Sequence, residues 1–291
     1  MPILRTVHRD TFTACIDFLK EREYRCITLM SHLAEDGVPS FPADKVRHLV
    51  FFAESAGSII DGILLVTKTS ILFHCFRETV DPTPYAPLIA HFLSRTKVRC
   101  IIGSRNDSLF LETIVGSEPF RAVDYQLMTL ENLTDSMPHG SGMPVKADGA
   151  EFTLRQADLG DIEQISPLQE GYEKEEVIPP GDPFVPEAMK ALLKKSLETQ
   201  VVFVVEMNGK IVAKAGTNAL GLNWDQIGGV YTMPDWRNRG LAASLVQHTA
   251  HERMEKGRKI ALFVKLTNIP AQKAYEKSGF RRNILFRISY Y

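Results

Sequence analysis

The chain has 291 residues, 44% of them hydrophobic, and 34 Lys and Arg set against 35 Asp and Glu give a formal net charge of −1. That length supports two cores of ordinary size, because domains cluster near ~100–150 residues. Near-neutrality, with a pI near 6.7, excludes a global field that would gather nucleic acid or an anionic membrane, so neither is expected as a partner.

The opening residues, Met1-Pro2-Ile3-Leu4-Arg5-Thr6-Val7-His8, lack the apolar core of a signal peptide, and the most apolar run, 59–66, is short and broken by Asp61. A cytoplasmic protein is expected. Cys15, Cys26, Cys75 and Cys100 fall at irregular intervals without a C-x-x-C pair, which reads as buried, reduced thiols.

In chain order, the first half predicts helices over 11–20 and 24–34, then strands over 48–53 and 59–67 joined by a turn at 55–58. A strand over 70–76, a helix over 85–96, a strand over 98–103, a helix over 108–115 and a strand over 125–130 follow. Pro138, Gly140, Ser141, Gly142, Pro144 and Gly149 then mark 131–150 as a linker.

Beyond it, 152–157 alternates like a strand, Asp158 is placed to cap a helix, and 186–199 reads as a second helix opened by Pro186. Asn208-Gly209 predicts a hairpin between strands 201–206 and 210–216. A strand over 227–233, a helix over 241–256, a strand over 260–266, a helix over 270–277 and a strand over 284–290 complete the order βααβββαβαβ. The first half repeats that order more faintly, the mark of an internal duplication.

The strongest local signal is Arg237-Asn238-Arg239-Gly240-Leu241-Ala242, directly after the strand Ile227-Gly228-Gly229-Val230-Tyr231-Thr232-Met233. A small-residue turn from strand into helix aims successive N–H groups at one point, and the positive helix end adds to their pull on an anion. Gly228-Gly229 inside a strand marks a bulge or a close backbone approach. On the next helix lie Asn268-Ile269-Pro270-Ala271, Tyr275 and Gly279-Phe280.

Together these stretches resemble the acyl-CoA-binding core of the GNAT superfamily of acetyltransferases. The resemblance implies an α+β fold of two tandem GNAT-like domains, each a mixed, mostly antiparallel twisted sheet flanked by helices. Residues 1–130 would be a degenerate copy without a CoA site, 131–150 the linker, and 151–291 the catalytic domain. In the first half Asp81-Pro82-Thr83-Pro84-Tyr85-Ala86-Pro87 stands where the phosphate turn should be, and prolines offer no N–H groups while Asp81 repels phosphate. Asn106 falls where Asn268 sits, and Thr113 replaces the tyrosine. On this reading 151–291 binds CoA by itself and 1–130 does not.

The resemblance also implies acetyl-CoA as cofactor. The amides of Arg239, Gly240, Leu241 and Ala242, with Asn238 nearby, would cradle its pyrophosphate, and Arg237 and Arg239 would add positive charge. Backbone groups of Val230, Tyr231, Thr232 and Met233 would pair with pantetheine, one N–H of that stretch holding the oxyanion. Asn268 would serve as N-cap, as a pantetheine partner, or as both. Tyr275, close to two helical turns further on, has the chemistry of a general acid for the departing thiolate.

The acceptor side is less legible. The run Gln169-Glu170-Gly171-Tyr172-Glu173-Lys174-Glu175-Glu176, with Asp182, suits a cationic amine but also reads as a solvated helix face. Glu173 and Asp225 are candidate general bases, and spacing does not choose between them. His248 and His251 are one turn apart but lack the Glu of H-E-x-x-H and a third ligand, so no metal is expected. The reading is an acetyl-CoA-dependent N-acetyltransferase acting on a small-molecule or peptide primary amine by direct attack on the thioester. A non-catalytic acyl-CoA-binding module, a longer acyl group and a homodimer stay open.

Overall fold

Runs rich in Val, Ile and Phe become the central strands, since β-branched and aromatic side chains fit a pleated surface covered on both faces. The computed structural model describes residues 1–42, 46–54, 59–132, 143–147, 150–178 and 183–291. The first half contains β1 (Pro2–Thr6), α1 (Arg9–Lys20), α2 (Ile27–Ser31) and a small ribbon of β2 (Ala34–Glu35) and β3 (Val38–Pro39). It continues with β4 (Val46–Glu54), β5 (Ile60–Thr67), β6 (Ile71–Phe76), α3 (Ala86–Ser94), β7 (Cys100–Ser104), α4 (Arg105–Val115) and β8 (Arg121–Leu130). The second half begins with β9 (Met143–Ala147), β10 (Ala150–Gln156), α5 (Ile162–Tyr172), α6 (Pro186–Thr199), β11 (Val202–Met207) and β12 (Lys210–Leu220). It ends with β13 (Trp224–Thr232), α7 (Leu241–Glu255), β14 (Lys259–Lys265), α8 (Ile269–Lys277) and β15 (Arg281–Tyr290).

Local signals act as expected. Asn208 and Gly209 take φ values of 50° and 75°, the left-handed pair a two-residue hairpin needs. The Asp158 carboxylate accepts from the Gly160 N–H at 2.7 Å, and α6 begins at Pro186. Four strands were not foreseen: β2 and β3 pair as a small ribbon where the helix expected over 24–34 ends, and β1 and β9 join the main sheet. β1 is a short edge strand defined by its pairing with β4, and β9, inside the expected linker, pairs antiparallel with β10. The expected turn at 55–58, Asp182 and most of the rest of the linker lie outside the described residues.

The larger departure is topological. Thirteen strands form one sheet, in the order β1-β4-β5-β6-β7-β15-β8-β14-β13-β12-β11-β10-β9. The final strands of the two halves are exchanged: β15 lies antiparallel between β7 and β8, and β8 pairs antiparallel with β14. Each half supplies one strand after its last helix, and that strand completes the edge left open by the other half. A cut in 131–150 therefore strips β14 of β8, and β7 of β15.

The junction is reinforced by a buried carboxylate. Glu23, fully buried in the first half, accepts from the backbone N–H groups of Leu222, Asn223 and Trp224 and from the Asn223 side chain, at 2.5–3.3 Å. A buried charge is tolerated only with such full pairing. Ile27, Leu127, Ala219, Trp224 and Ala261 form an apolar cluster across the same boundary.

Candidate active site

β13 and β14 run parallel from Trp224 opposite Lys259 to Ile227 opposite Leu262, and their pairing stops there. Beyond it β13 continues to Thr232 and β14 to Lys265, leaving a wedge between them. The double glycine sits at the point of divergence. Gly229 has φ 61°, and a Cβ on Gly228 would lie 1.8 Å from the Asn218 amide nitrogen, so a larger residue there would have to displace the Asn218 side chain. The wedge encloses about 250 Å³, with Tyr172, Glu176, Asn218 and Tyr275 among its lining, and Tyr125 of β8 and Tyr290 of β15 also reach it. One wall thus comes from the first half.

Past β13 the chain reaches the turn expected to bind an anion. Asn238 and Gly240 both take left-handed conformations, φ 64° and 77°, and Gly240 is the N-cap of α7. Among the described residues no acceptor faces the N–H groups of Arg239, Gly240, Leu241 or Ala242, and a Cβ on Gly240 would meet nothing within 4 Å. Unsatisfied donors around open space at a helix N-terminus fit a diphosphate. The arginines, expected to add positive charge, both have partners. Arg237 forms 2.8 Å bonds to both oxygens of Glu175 and donates to the Thr232 carbonyl, while Arg239 stacks over the Trp236 ring at 4.7 Å.

Asn268 caps α8, accepting from the Ala271 N–H at 3.2 Å, and also lines the wedge. Tyr275 stands on the same helix, 9% exposed. Burial, with the nearby Glu176 and Tyr172, pushes its phenol up to about 12, so it holds its proton throughout the neutral range.

The acidic run is mostly neutralised. Glu170 pairs with Lys174, Glu175 with Arg237, and Glu176 with Lys265 at 2.6 Å. Glu173, at the start of a π-turn over Glu173–Val177, accepts from Gln169 at 3.1 Å and has no ion-pair partner among the described residues. Asp225 is corrected. It is fully buried away from the wedge, bonded to Arg253 at 2.5 Å and to Arg258 at 2.9 and 3.0 Å, so it anchors two guanidiniums and is not placed to take a proton from an acceptor. His248 packs edge-on against Phe203 at 4.6 Å, and among the described residues no three His, Cys, Asp or Glu side chains gather as a metal site.

Sequence reasoning missed Lys214 and Gly171. Lys214, 5% exposed on β12, donates to the Gly229 carbonyl at 2.8 Å and lies 4.9 Å from the Tyr172 ring centroid. Burial lowers its pKa to about 7, with Glu173 acting in the opposite direction. The signal was a lone lysine in the apolar strand Ile211-Val212-Ala213-Lys214-Ala215. A Cβ on Gly171 would lie 2.3 Å from the Tyr231 hydroxyl, which itself donates to Glu175 at 2.9 Å.

The parallel strand pair splays ahead of a left-handed turn at a helix N-terminus, and residues 167–280 match the acetyltransferase (GNAT) family. Those residues are a GNAT acetyltransferase domain. Solved structures extend the likeness to the whole chain at the level of fold. A Drosophila protein is 12% identical over 100% of this chain and 99% of its own, with a TM-score of 0.66. A GCN5-related N-acetyltransferase from Sphaerobacter thermophilus is 15% identical, covering 99% of this chain and 94% of its own at a TM-score of 0.59. A tandem GNAT protein from the clavulanic acid biosynthesis pathway is 9% identical, covering 99% and 98% at 0.57. No curated protein matches the sequence.

Proposed function

We propose that the protein is an N-acetyltransferase that moves an acetyl group from acetyl-CoA to a primary amine by direct attack. The observations that carry this are the splay of β13 from β14 beyond Ile227, the N–H groups from Arg239 to Ala242 that meet no acceptor among the described residues, and Asn268 and Tyr275 of α8 in the lining of the wedge. The turn would hold the diphosphate, and the β13 edge would pair with pantetheine and polarise the thioester carbonyl. Glu173, directly or through water, would take the ammonium proton; the amine nitrogen then bonds to the carbonyl carbon, the C–S bond breaks as Tyr275 gives its proton to sulfur, and the second proton that nitrogen sheds in becoming an amide returns through water to the Tyr275 phenolate. With most acidic side chains of the acceptor wall already paired, aromatic surface from Tyr125, Tyr172 and Tyr290 leaves room for a small amine with an apolar body. The four cysteines are buried free thiols, which supports a cytoplasmic setting.

Thiol release from acetyl-CoA across a panel of primary amines tests the reading. On the best acceptor Tyr275→Phe should lower turnover ~10²-fold or more with cofactor affinity little changed. Unchanged turnover with chemistry rate-limiting removes Tyr275 from the mechanism. Binding of acetyl-CoA without turnover on any amine points to a non-catalytic acyl-CoA module, and faster turnover with longer acyl-CoAs assigns a different donor.

A further inference from the structure

A cavity roomier than the wedge lies elsewhere. It is a groove of about 520 Å³ in the first half, where α3 lies over the β1 and β4 edge of the sheet. Its apolar lining includes Leu4, Val50 and Phe92, and Arg47, His48, His91 and Arg95 also line it, with no carboxylate among the described residues that do so. Arg47 donates to the Lys68 carbonyl, and among the described residues Arg47 has no acidic partner and Arg95 makes no side-chain hydrogen bond or ion pair. Two guanidiniums that no described carboxylate pairs, beside an apolar trough, ask for an anion with an apolar body.

The second half shows what a packed version of this region looks like. There Phe203 of β11 meets His248 of α7 at 4.6 Å, the two 2% and 6% exposed, and β10 is flanked by β9. In the first half the related contact, His48 of β4 against Phe92 of α3, is looser at 5.6 Å. Leu88 stands 36% exposed, and β1 is the last strand of the sheet on its side. The groove is thus a packing position left unfilled and rimmed with positive charge.

We propose that this groove binds a medium-chain aliphatic carboxylate, its chain along Leu4, Val50 and Phe92 and its head group at Arg95 and Arg47. A trough of this volume takes a chain of roughly ten carbons. The site is separate from the acyl-transfer wedge and does not depend on the reaction assigned there.

Calorimetry on the full chain with decanoate, decanol and decyltrimethylammonium tests the proposal, together with amide chemical-shift mapping. Decanoate should bind one to one, ~10-fold or more tighter than decanol or the ammonium compound, with shifts confined to β1, β4 and α3. Saturating CoA should leave this binding unchanged. Arg95→Gln, a change on an exposed side chain, should weaken decanoate ~5–10-fold and leave decanol unaffected, and Leu88→Glu should abolish decanoate binding. No binding of decanoate, equal binding of the three compounds, insensitivity to both substitutions, competition by CoA, or shifts centred on Tyr275 would each overturn it.

Discussion

Both halves of this protein build the same splayed strand pair, and only one of the two wedges is open. In the first half β6 and β7 pair in parallel from Ile71 opposite Cys100 to Phe73 opposite Ile102 and then separate, as β13 and β14 do. There the imidazole of His74 fills the gap. A Cβ on Gly103 would lie 2.2 Å from its ring, its Nε2 bonds to Ser108 at 2.9 Å, and burial with the nearby Arg25 lowers its pKa to about 3. Arg25, among the lining, is paired with Asp107 at 3.2 Å and Glu78 at 2.9 Å, and about 10 Å³ remains against about 250 Å³ in the second half. The turns differ in the same sense. Asn238 and Gly240 open a helix with free N–H groups, whereas Asp81 caps Thr83 and prolines occupy 82, 84 and 87. The splay is a property of the backbone topology; use of the splay depends on one filling side chain and one turn.

The largest expected effect comes from separating what the exchange joins. Fragments 1–132 and 143–291 expressed apart should fail to give stable monomers, because each leaves an edge strand of its splayed pair without its outer neighbour, and co-expression should restore a soluble complex. Cooperative thermal unfolding of the second fragment alone, with CoA binding intact, would show that the strand exchange is dispensable. Next, His74→Ala should destabilise the protein by ~2–4 kcal/mol, the scale of a buried large-to-small change. It should not create a second CoA site, since the turn before α3 still lacks donors. A second binding event in calorimetry would mean that the plug alone distinguishes the halves.

Gly240→Val places a β-branched residue at φ 77°. Its side chain has open space, so the penalty is conformational: about 1–2 kcal/mol for leaving the turn in its left-handed form, or roughly tenfold in CoA affinity if the turn relaxes. Wild-type affinity in a folded variant would remove the turn from the site.

The smallest effect concerns Lys214. Its pKa near 7 lies below the ~10.4 of an unfolded lysine, so between those values the unfolded chain holds a proton that the folded protein does not. Stability should therefore rise as pH increases from about 7 to about 10 through this group, and Lys214→Met should flatten that rise in denaturant titrations. An unaltered slope would mean that the lysine is solvated in the folded protein.

Much of the fold and part of the site were readable from short stretches. Asn208-Gly209, Asp158, Pro186 and Asn268 act on the backbone next to them, and Gly229 and Gly240 mark left-handed conformations that few other residues adopt, so their positions were legible without a partner. Charged residues were not. Asp225 and Glu173 looked equivalent as bases until Arg253 and Arg258 were found around the first, and the pairing of Arg237 with Glu175 had no signal in the chain. An ion pair across 28 or 62 residues leaves no periodic trace in the chain.

The sequence by itself determined the order of the central elements, the faint repeat, and the glycine turn before one helix with prolines before its counterpart, because each follows from local propensity, hydrophobic period or the supply of backbone N–H groups. The tertiary structure alone decided that β8 and β15 trade places, that Tyr125 of the first half walls the wedge of the second, and that His74 closes one wedge while Lys214 is drawn under the bulge of the other. Strand partners are chosen by free edges and buried charges by the groups around them. Both are properties of the assembled sheet and not of any segment in it.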